Sequence, residues 1–302
     1  MGIILKESNK LIEGKVSLEQ FHDAFNWKVS KEPLFIAGNN GVQEVRDFYA
    51  TTRIDASGSL TPLGVVKGRY EVIDNARVLE TVEEILGIGA GVPYDYQVHN
   101  HGAKYAFRLL FPKYLAPNVN DKSNFLQLCL SVKGSHDGSS GLVVELSPIL
   151  RYCLNGLLSL GGAHAISSVR HTSGASYKLD GIRNVFGQVE EEFDGFGRDL
   201  TRLSETPFNR GQVRDYIKTV LGVTETDDQK ISARTKGVIA DITTLAYRGR
   251  GNYGDTAWDA YQGVTEYVDH HRGTDEARGW NAVAGGGAEL KRKALKTALA
   301  LI

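Results

Sequence analysis

Val45-Arg-Asp-Phe-Tyr-Ala-Thr-Thr-Arg-Ile54, followed by Asp55-Ala-Ser-Gly58 and then Leu60-Thr-Pro-Leu-Gly-Val-Val66, reads as strand, turn and returning strand. The first run is rich in β-branched and aromatic residues, which suit a pleated, half-buried surface, and the tetrapeptide between the runs is turn chemistry. Lys67-Gly68 permits another reversal, and Arg69-Tyr-Glu-Val-Ile73 reads as a third strand. Asp74-Asn75 then caps a helix whose apolar side carries Val78, Val82, Ile85 and Leu86. Strand-strand-strand-helix is the unit that sets the fold class.

Downstream the same chemistry repeats. Tyr94, Tyr96 and Val98 alternate with Asp95, Gln97 and His99, a half-buried strand by its period of two. Asn100-His-Gly102 turns the chain, and Ala103, Tyr105, Phe107 and Leu109 return on one face. Leu126, Leu128, Leu130 and Val132 alternate with Gln127, Cys129, Ser131 and Lys133; the glycine-rich turn Gly134–Gly141 leads to Leu142, Val144 and Leu146. Ser147-Pro148 is a cap and a first-turn proline, predicting a helix through Leu150, Cys153, Leu154, Leu157 and Leu158.

Upstream, residues 1–40 read as an N-terminal arm. Ser17-x-x-Gln20 is a capping-box pattern before a short helix through Phe21 and Phe25, and Pro33 with Gly38-Asn-Asn-Gly41 closes the arm as a loop. Such an arm packs on its own core or on a neighbouring subunit. After about residue 185 the strand signal stops. Helical stripes follow: Val213, Tyr216, Ile217, Val220 and Leu221; Ile231, Val238, Ile242 and Leu245; Trp258, Tyr261, Thr265 and Val268; Leu290, Ala294, Leu295, Ala298 and Leu299. The expected fold is α+β: an antiparallel sheet core over residues 41–185 with the strand-strand-strand-helix unit, then a helical C-terminal region over 186–302.

Composition narrows the function classes. The chain has 302 residues, 41% hydrophobic and 24% charged, which excludes a disordered or fibrous protein. Lys plus Arg number 35 against 36 Asp plus Glu, so neither a generally basic coat nor a polyacidic chain is present. The 34 glycines exceed the usual share of about 7% and imply many turns or close backbone approaches. Cys129 and Cys153, each in an apolar stretch, read as buried thiols of a reducing compartment. The opening Met1–Lys6 is too short for a signal peptide, Lys6 breaks the myristoylation pattern, and no run approaches the ~20 apolar residues of a membrane span.

The motifs are mostly negative. Gly249-Arg-Gly-Asn-Tyr-Gly254 matches a dinucleotide glycine pattern in letters, but a helical stripe precedes it where that motif needs a strand, so it reads as a hinge or capping loop. No phosphate-loop pattern exists. His99 with His101, and His270 with His271, lack the companions of a metal site. His136-Asp137 falls in the glycine-rich turn, and Arg170-His171-Thr172 is a polar knot between helical segments. No catalytic residue, metal ligand or cofactor is expected. The informative distribution is that of cations and aromatics: Arg53, Lys67, Arg69, Arg108, Lys133, Arg151, Arg170 and Lys178, with Tyr70 and Tyr105. Basic side chains on one sheet face can track a single-stranded backbone while aromatics stack on bases. Asp47, Asp55, Glu71 and Asp74 share the same strands, and on the charge pattern alone scattered solvated charges explain these positions slightly better.

Five segments in order resemble one family, the phage- and plasmid-associated proteins carried as domain of unknown function 932. They are Arg69-Tyr-Glu-Val-Ile-Asp-Asn75, Ser135-His-Asp-Gly138, Ser147-Pro-Ile-Leu-Arg-Tyr-Cys-Leu-Asn155, Val169-Arg-His-Thr172 and Gly254-Asp-Thr-Ala-Trp-Asp-Ala-Tyr-Gln-Gly-Val-Thr-Glu-Tyr-Val-Asp-His270. Leu154-Asn-Gly156 departs from the resemblance, which has Asn followed by Thr. The resemblance implies a mobile-element setting in a bacterial cytoplasm. The order of strands and helix is also similar, at the level of shape, to the core of single-strand annealing recombinases, which form rings or filaments and hold DNA between sheet and helices.

Three functions follow as expectations. The first is a homo-oligomer that binds single-stranded DNA and promotes annealing and recombination without nucleotide hydrolysis or membrane contact, using the cations and tyrosines above. The second is a structural or assembly protein of a phage or plasmid with no nucleic-acid activity. The third is an enzyme with a site around His136, Asp137, Arg170 and His171.

Overall fold

The computed structural model describes residues 12–39, 41–116, 125–151, 154–156, 165–171, 186–224, 228–252 and 254–302. The chain opens with helix α1 (Leu18–Phe25), started by the expected capping box: Ser17 Oγ accepts from the Gln20 amide at 3.2 Å, and Gln20 Oε1 accepts from the Ser17 amide at 2.8 Å. Strands β1 (Lys28–Gly38), β2 (Gly41–Ile54) and β3 (Leu60–Lys67) form a three-stranded antiparallel sheet in that order, and α2 (Asn75–Ile88) follows, with Asp74 accepting from the Ala76 amide. The strand-strand-strand-helix unit is therefore present, but its members differ from those read in the sequence.

The first strand of the unit is β1, which lies in the segment expected to close as a loop. Pro33 is accommodated because β1 is an edge strand and its register with β2 shifts between Pro33 and Phe35. Gly38 pairs with Gly41, so β1 and β2 form a hairpin in place of the expected closing loop. Conversely, Arg69–Ile73 is not a strand. The Tyr70 amide donates to Lys67 O in a turn, and the Glu71 amide donates to His171 O, so this segment crosses to the second sheet.

That second sheet has six antiparallel strands: β4 (Val92–His99), β5 (Lys104–Leu115), β6 (Leu126–Ser135), β7 (Leu142–Leu146) and β9 (Ala165–Val169) in order, with β8 (Ile149–Leu150) also pairing with β6. The helix expected from Ser147-Pro148 is replaced over its described part by β8, where Leu150 pairs with Leu126 and both are buried. Cys153, Leu157 and Leu158 lie outside the described residues.

The C-terminal region is helical as expected: α3 (Phe186–Glu205), α4 (Arg210–Leu221), α5 (Ala233–Arg248), α6 (Ala257–Glu266) running into a π-helical turn at Tyr267–His271, α7 (Asp275–Val283) and α8 (Gly286–Ala300). The Gly249–Gly254 run joins α5 to α6. One core cluster runs from Phe21 and Phe25 through α2 and the apolar face of the six-stranded sheet to Ala298. Phe21, Phe25 and Trp27 thus pack on the chain's own core, whereas most of β1 is exposed. No helix among the described residues is long and apolar enough to cross a membrane.

Two features position everything that follows. Gly64 of β3 touches the β6–β7 turn so closely that a Cβ there would stand 2.6 Å from Asp137 Cα, which requires glycine where the two sheets meet. The polar positions of β6, which alternation assigns to solvent, are instead buried, because α7 and α8 cover that face: Lys133 Nζ donates to Val283 O at 3.1 Å and Arg292 reaches Glu145.

Candidate nucleic-acid interface

The expected cations separate into two groups. Lys67 at the end of β3, Arg69 just after it and Arg170 just after β9 are exposed and form no ion pair among the described residues. Arg69 and Arg170 are the chain neighbours of one stack, in which the ring of Tyr70 lies on that of His171, centroids 4.5 Å apart and planes 13° apart, while Lys67 pairs opposite the exposed Phe48 of β2. The Glu71 amide to His171 O bond (3.1 Å) and a His171 Nδ1–H bond to Glu71 O (2.9 Å) hold the two segments together. Lys31 of β1 adds a further cation there, donating to the carbonyls of Gly68 and Tyr70 at 3.0 and 2.9 Å. The exposed acids Glu71 and Asp47 sit in the same neighbourhood, Asp47 beside Gly68.

The second group does not join that surface. Arg53 is held by Asp55 (2.6 Å) and lies over the Trp27 ring. Arg108 makes a two-nitrogen grip on Asp95, and Lys133 is buried against Glu145. These three cations are neutralised by carboxylates, so the single trough expected from all of them is not formed. Arg151 lies across the Phe125 ring at 5.2 Å. Lys178 lies outside the described residues.

Tyr70 and Tyr105 are not surface stacking platforms. Tyr70 is buried and donates to Ser135 O at 3.1 Å; Tyr105 is fully buried between Phe25 (4.6 Å) and His136 (5.2 Å). His136, read in the glycine-rich turn, is fully buried there and belongs to the same knot. Its Nε2–H donates to Asn75 Oδ1 at 2.8 Å, while Asn75 donates to the carbonyls of Phe25 and Trp27. Burial pushes the His136 pKa down to about 3, and burial also lowers that of His171, so both rings are neutral. Asp137 does perform turn chemistry, accepting from the Ser139 amide at 2.8 Å. His136, Asp137 and His171 are therefore neighbours, but the histidines are packed away from solvent. Among the described residues no group of three or more histidine, cysteine or acidic side chains is arranged to hold a metal ion.

A second polar locus escaped sequence reasoning. Register places Asp95, Arg108, Ser131 and Glu145 in one row across β4 to β7. Over that row, Lys291 of α8 is buried and donates to Asp269 Oδ1 and to Gly156 O, both at 2.7 Å, and the Gly156 amide donates to Asp269 Oδ2 at 2.8 Å. His270 donates to Asn155 Oδ1 at 2.9 Å, and Asn155 donates to Gln262 and Thr265 of α6. Leu154 carries a φ of +56°, an unusual conformation for a leucine, where the chain bends into this locus. A cleft of about 280 Å³ opens between sheet and helices, lined among others by Lys15, Arg108, Asp269 and Lys291. Asp269 in the π-helical turn and Lys291 of α8, 22 residues apart, give no local signal; only the folded packing of α8 on that turn joins them.

With this geometry established, the family model for a domain of unknown function, DUF932, matches residues 62–294. The chain belongs to the DUF932 family. No curated protein and no solved structure matches it. In this DUF932 chain the five segments that carried the resemblance gather at the two loci just described. Arg69–Asn75, Ser135–Gly138 and Val169–His171 meet around Tyr70, His136 and His171, whereas Ser147, Leu154 and Asn155 of the third segment meet Asp269 and His270 of the last at the cleft.

Proposed function

We propose that this protein binds single-stranded DNA as a homo-oligomer and promotes annealing and recombination without hydrolysing nucleotides, in the phage or plasmid setting and bacterial cytoplasm that the family resemblance implies. One observation carries the reading: Lys67, Arg69 and Arg170 are exposed and without ion-pair partners among the described residues, and Arg69 and Arg170 are the chain neighbours of the stacked Tyr70 and His171. Unpaired cations on neighbouring segments are what a phosphate backbone needs, and binding of this kind requires no catalytic acid or base. The contact surface is smaller than the ten-residue set expected from the sequence. It comprises Lys67, Arg69 and Arg170, and leaves Arg53, Arg108 and Lys133 to internal ion pairs.

Self-association is supported by a separate feature. Phe35, Ile36, Val42, Phe48, Leu60 and Val65 are exposed large apolar side chains, and all belong to the three-stranded sheet, whose edges are β1 and β3. Exposed apolar groups concentrated on one small sheet with open edges suit pairing between copies. The same feature favours the second reading, an assembly protein indifferent to nucleic acid. Filter binding of a fluorescent single-stranded oligonucleotide at low ionic strength, with size-exclusion chromatography with and without it, separates the two. Retention of the oligonucleotide by a multimer supports the proposal; a multimer with no affinity at low salt leaves only assembly.

A further inference from the structure

The cleft over the charged row carries an inference beyond strand binding, because its charges do not balance. Among the described residues, four cations around the locus, Arg108, Lys133, Lys291 and Arg292, face three carboxylates, Asp95, Glu145 and Asp269, through the ion pairs Arg108–Asp95, Lys133–Glu145, Arg292–Glu145 and Lys291–Asp269, and Arg278 also lines the cleft. Lys15 adds another cation at the mouth, where it forms no ion pair among the described residues and lies over the Tyr94 ring. Buried charge of one sign is costly unless it is matched, so an excess of positive groups in a half-open cleft calls for an anion.

The donors are placed to receive one. Asp95 engages Nε and one terminal nitrogen of Arg108, and the other terminal nitrogen, Nη1, faces Gly156, where a Cβ would stand 3.2 Å from it. Lys291 gives two of its three protons to Asp269 and Gly156 O, and both Asp269 oxygens are engaged. Burial lowers the Lys291 pKa; Asp269 opposes that shift, while Arg108 and Arg292 reinforce it, consistent with cations crowding one another. The cleft, at about 280 Å³, is at the small end of ligand pockets, near the size of a phosphate with one attached sugar-sized group.

We propose that this cleft is a phosphate site in which Lys15, Arg108 and Lys291 hold a phosphomonoester or phosphodiester group. Two sources share that chemistry: a free phosphate compound, or the terminal phosphate of a nucleic-acid strand. The site is separate from the Lys67, Arg69 and Arg170 surface, so either assignment can fail alone.

The test is thermal unfolding of the full chain in inorganic phosphate against sodium chloride at matched ionic strength, with Lys15→Ala, which removes an exposed side chain, and Gly156→Ala, which puts a methyl group against Arg108. Phosphate well above its Kd is expected to raise the Tm by about 2–4 °C, and each variant to weaken phosphate binding about tenfold. Equal Tm values in the two salts, or a phosphate shift unchanged in both variants, overturns the proposal. A competition arm identifies the source. Tighter binding of a 5′-phosphorylated than a 5′-hydroxyl oligonucleotide, lost in Lys15→Ala, assigns a strand end; equal binding with the phosphate shift intact assigns a free phosphate compound.

Discussion

Asp95 and Arg108 stand opposite each other across β4 and β5, and the guanidinium grips the carboxylate through two nitrogens, Nε lying 2.7 Å from Oδ1. Both side chains are largely buried, at 17% and 16% exposure. An arginine that alternation offers to a ligand is thus claimed first by a carboxylate on the neighbouring strand. Asp95→Ala is expected to lower unfolding stability by about 3–5 kcal/mol, because it leaves a buried guanidinium unmatched. Asp95→Ala with Arg108→Met is expected to recover part of that loss. Urea unfolding of the single and double variants measures both effects.

The histidine knot makes stability depend on acid. In the unfolded chain His136 takes up a proton near pH 6.5, whereas in the fold it resists protonation down to about pH 3, and His171 is shifted the same way by burial. Below pH 6.5 the unfolded state therefore binds more protons, and stability that is fully present above that value is lost as pH falls. The slope from His136 approaches about 1.4 kcal/mol per pH unit, and His171 adds to it in the same direction. Chemical denaturation between pH 7.5 and 5 should show it, and His136→Gln should flatten the curve.

Gly64 tests how the sheets are joined. A methyl group there meets Asp137 Cα at 2.6 Å and Asp137 Cβ at 2.7 Å, both belonging to a turn fixed by its own hydrogen bonds. Gly64→Ala is expected to cost about 1–3 kcal/mol, read as a lower Tm. A neutral result would mean that the β3 contact with the β6–β7 turn is loose.

The exposed face of the three-stranded sheet predicts an effect on assembly. Phe48 and Val65 are 40% and 54% exposed on adjacent strands. Phe48→Glu with Val65→Lys is expected to reduce the mass seen by light scattering toward that of one chain, while changing stability by no more than about 0.5 kcal/mol.

Much of the fold is legible in the residues because local rules and tertiary packing agree there. Ser17 and Gln20 announce α1, Asp74 announces α2, the strands β4 to β7 lie where alternation places them although both faces of β6 are buried, and the stripes of α4, α5, α6 and α8 stand as read but for Ile231, which precedes α5. β1 is hidden by Pro33, which argues against a strand unless the strand is known to be at an edge. Arg69–Ile73 has strand composition, but Tyr70 is more stable buried against His171 and Ser135 than in a ladder, and the segment bends to put it there. Ile149 and Leu150 fit a helix stripe and a buried strand equally, and pairing with β6 decides between them. The candidate sites were less legible for a related reason. Charge sign is visible in a sequence, but the partner that cancels it is not: Arg53, Arg108 and Lys133 look like Lys67, Arg69 and Arg170 until Asp55, Asp95 and Glu145 are seen beside them.

The salt dependence of single-stranded oligonucleotide binding tests the account most directly, measured for the native chain and for a variant carrying Lys67→Ala, Arg69→Ala and Arg170→Ala. Three phosphate contacts on a single strand contribute about 0.7 each to the slope of log K against log salt, so the variant should bind more weakly and its slope should be shallower by about 2. An identical slope and affinity in the two proteins, or no binding by the native chain at low salt, would contradict it.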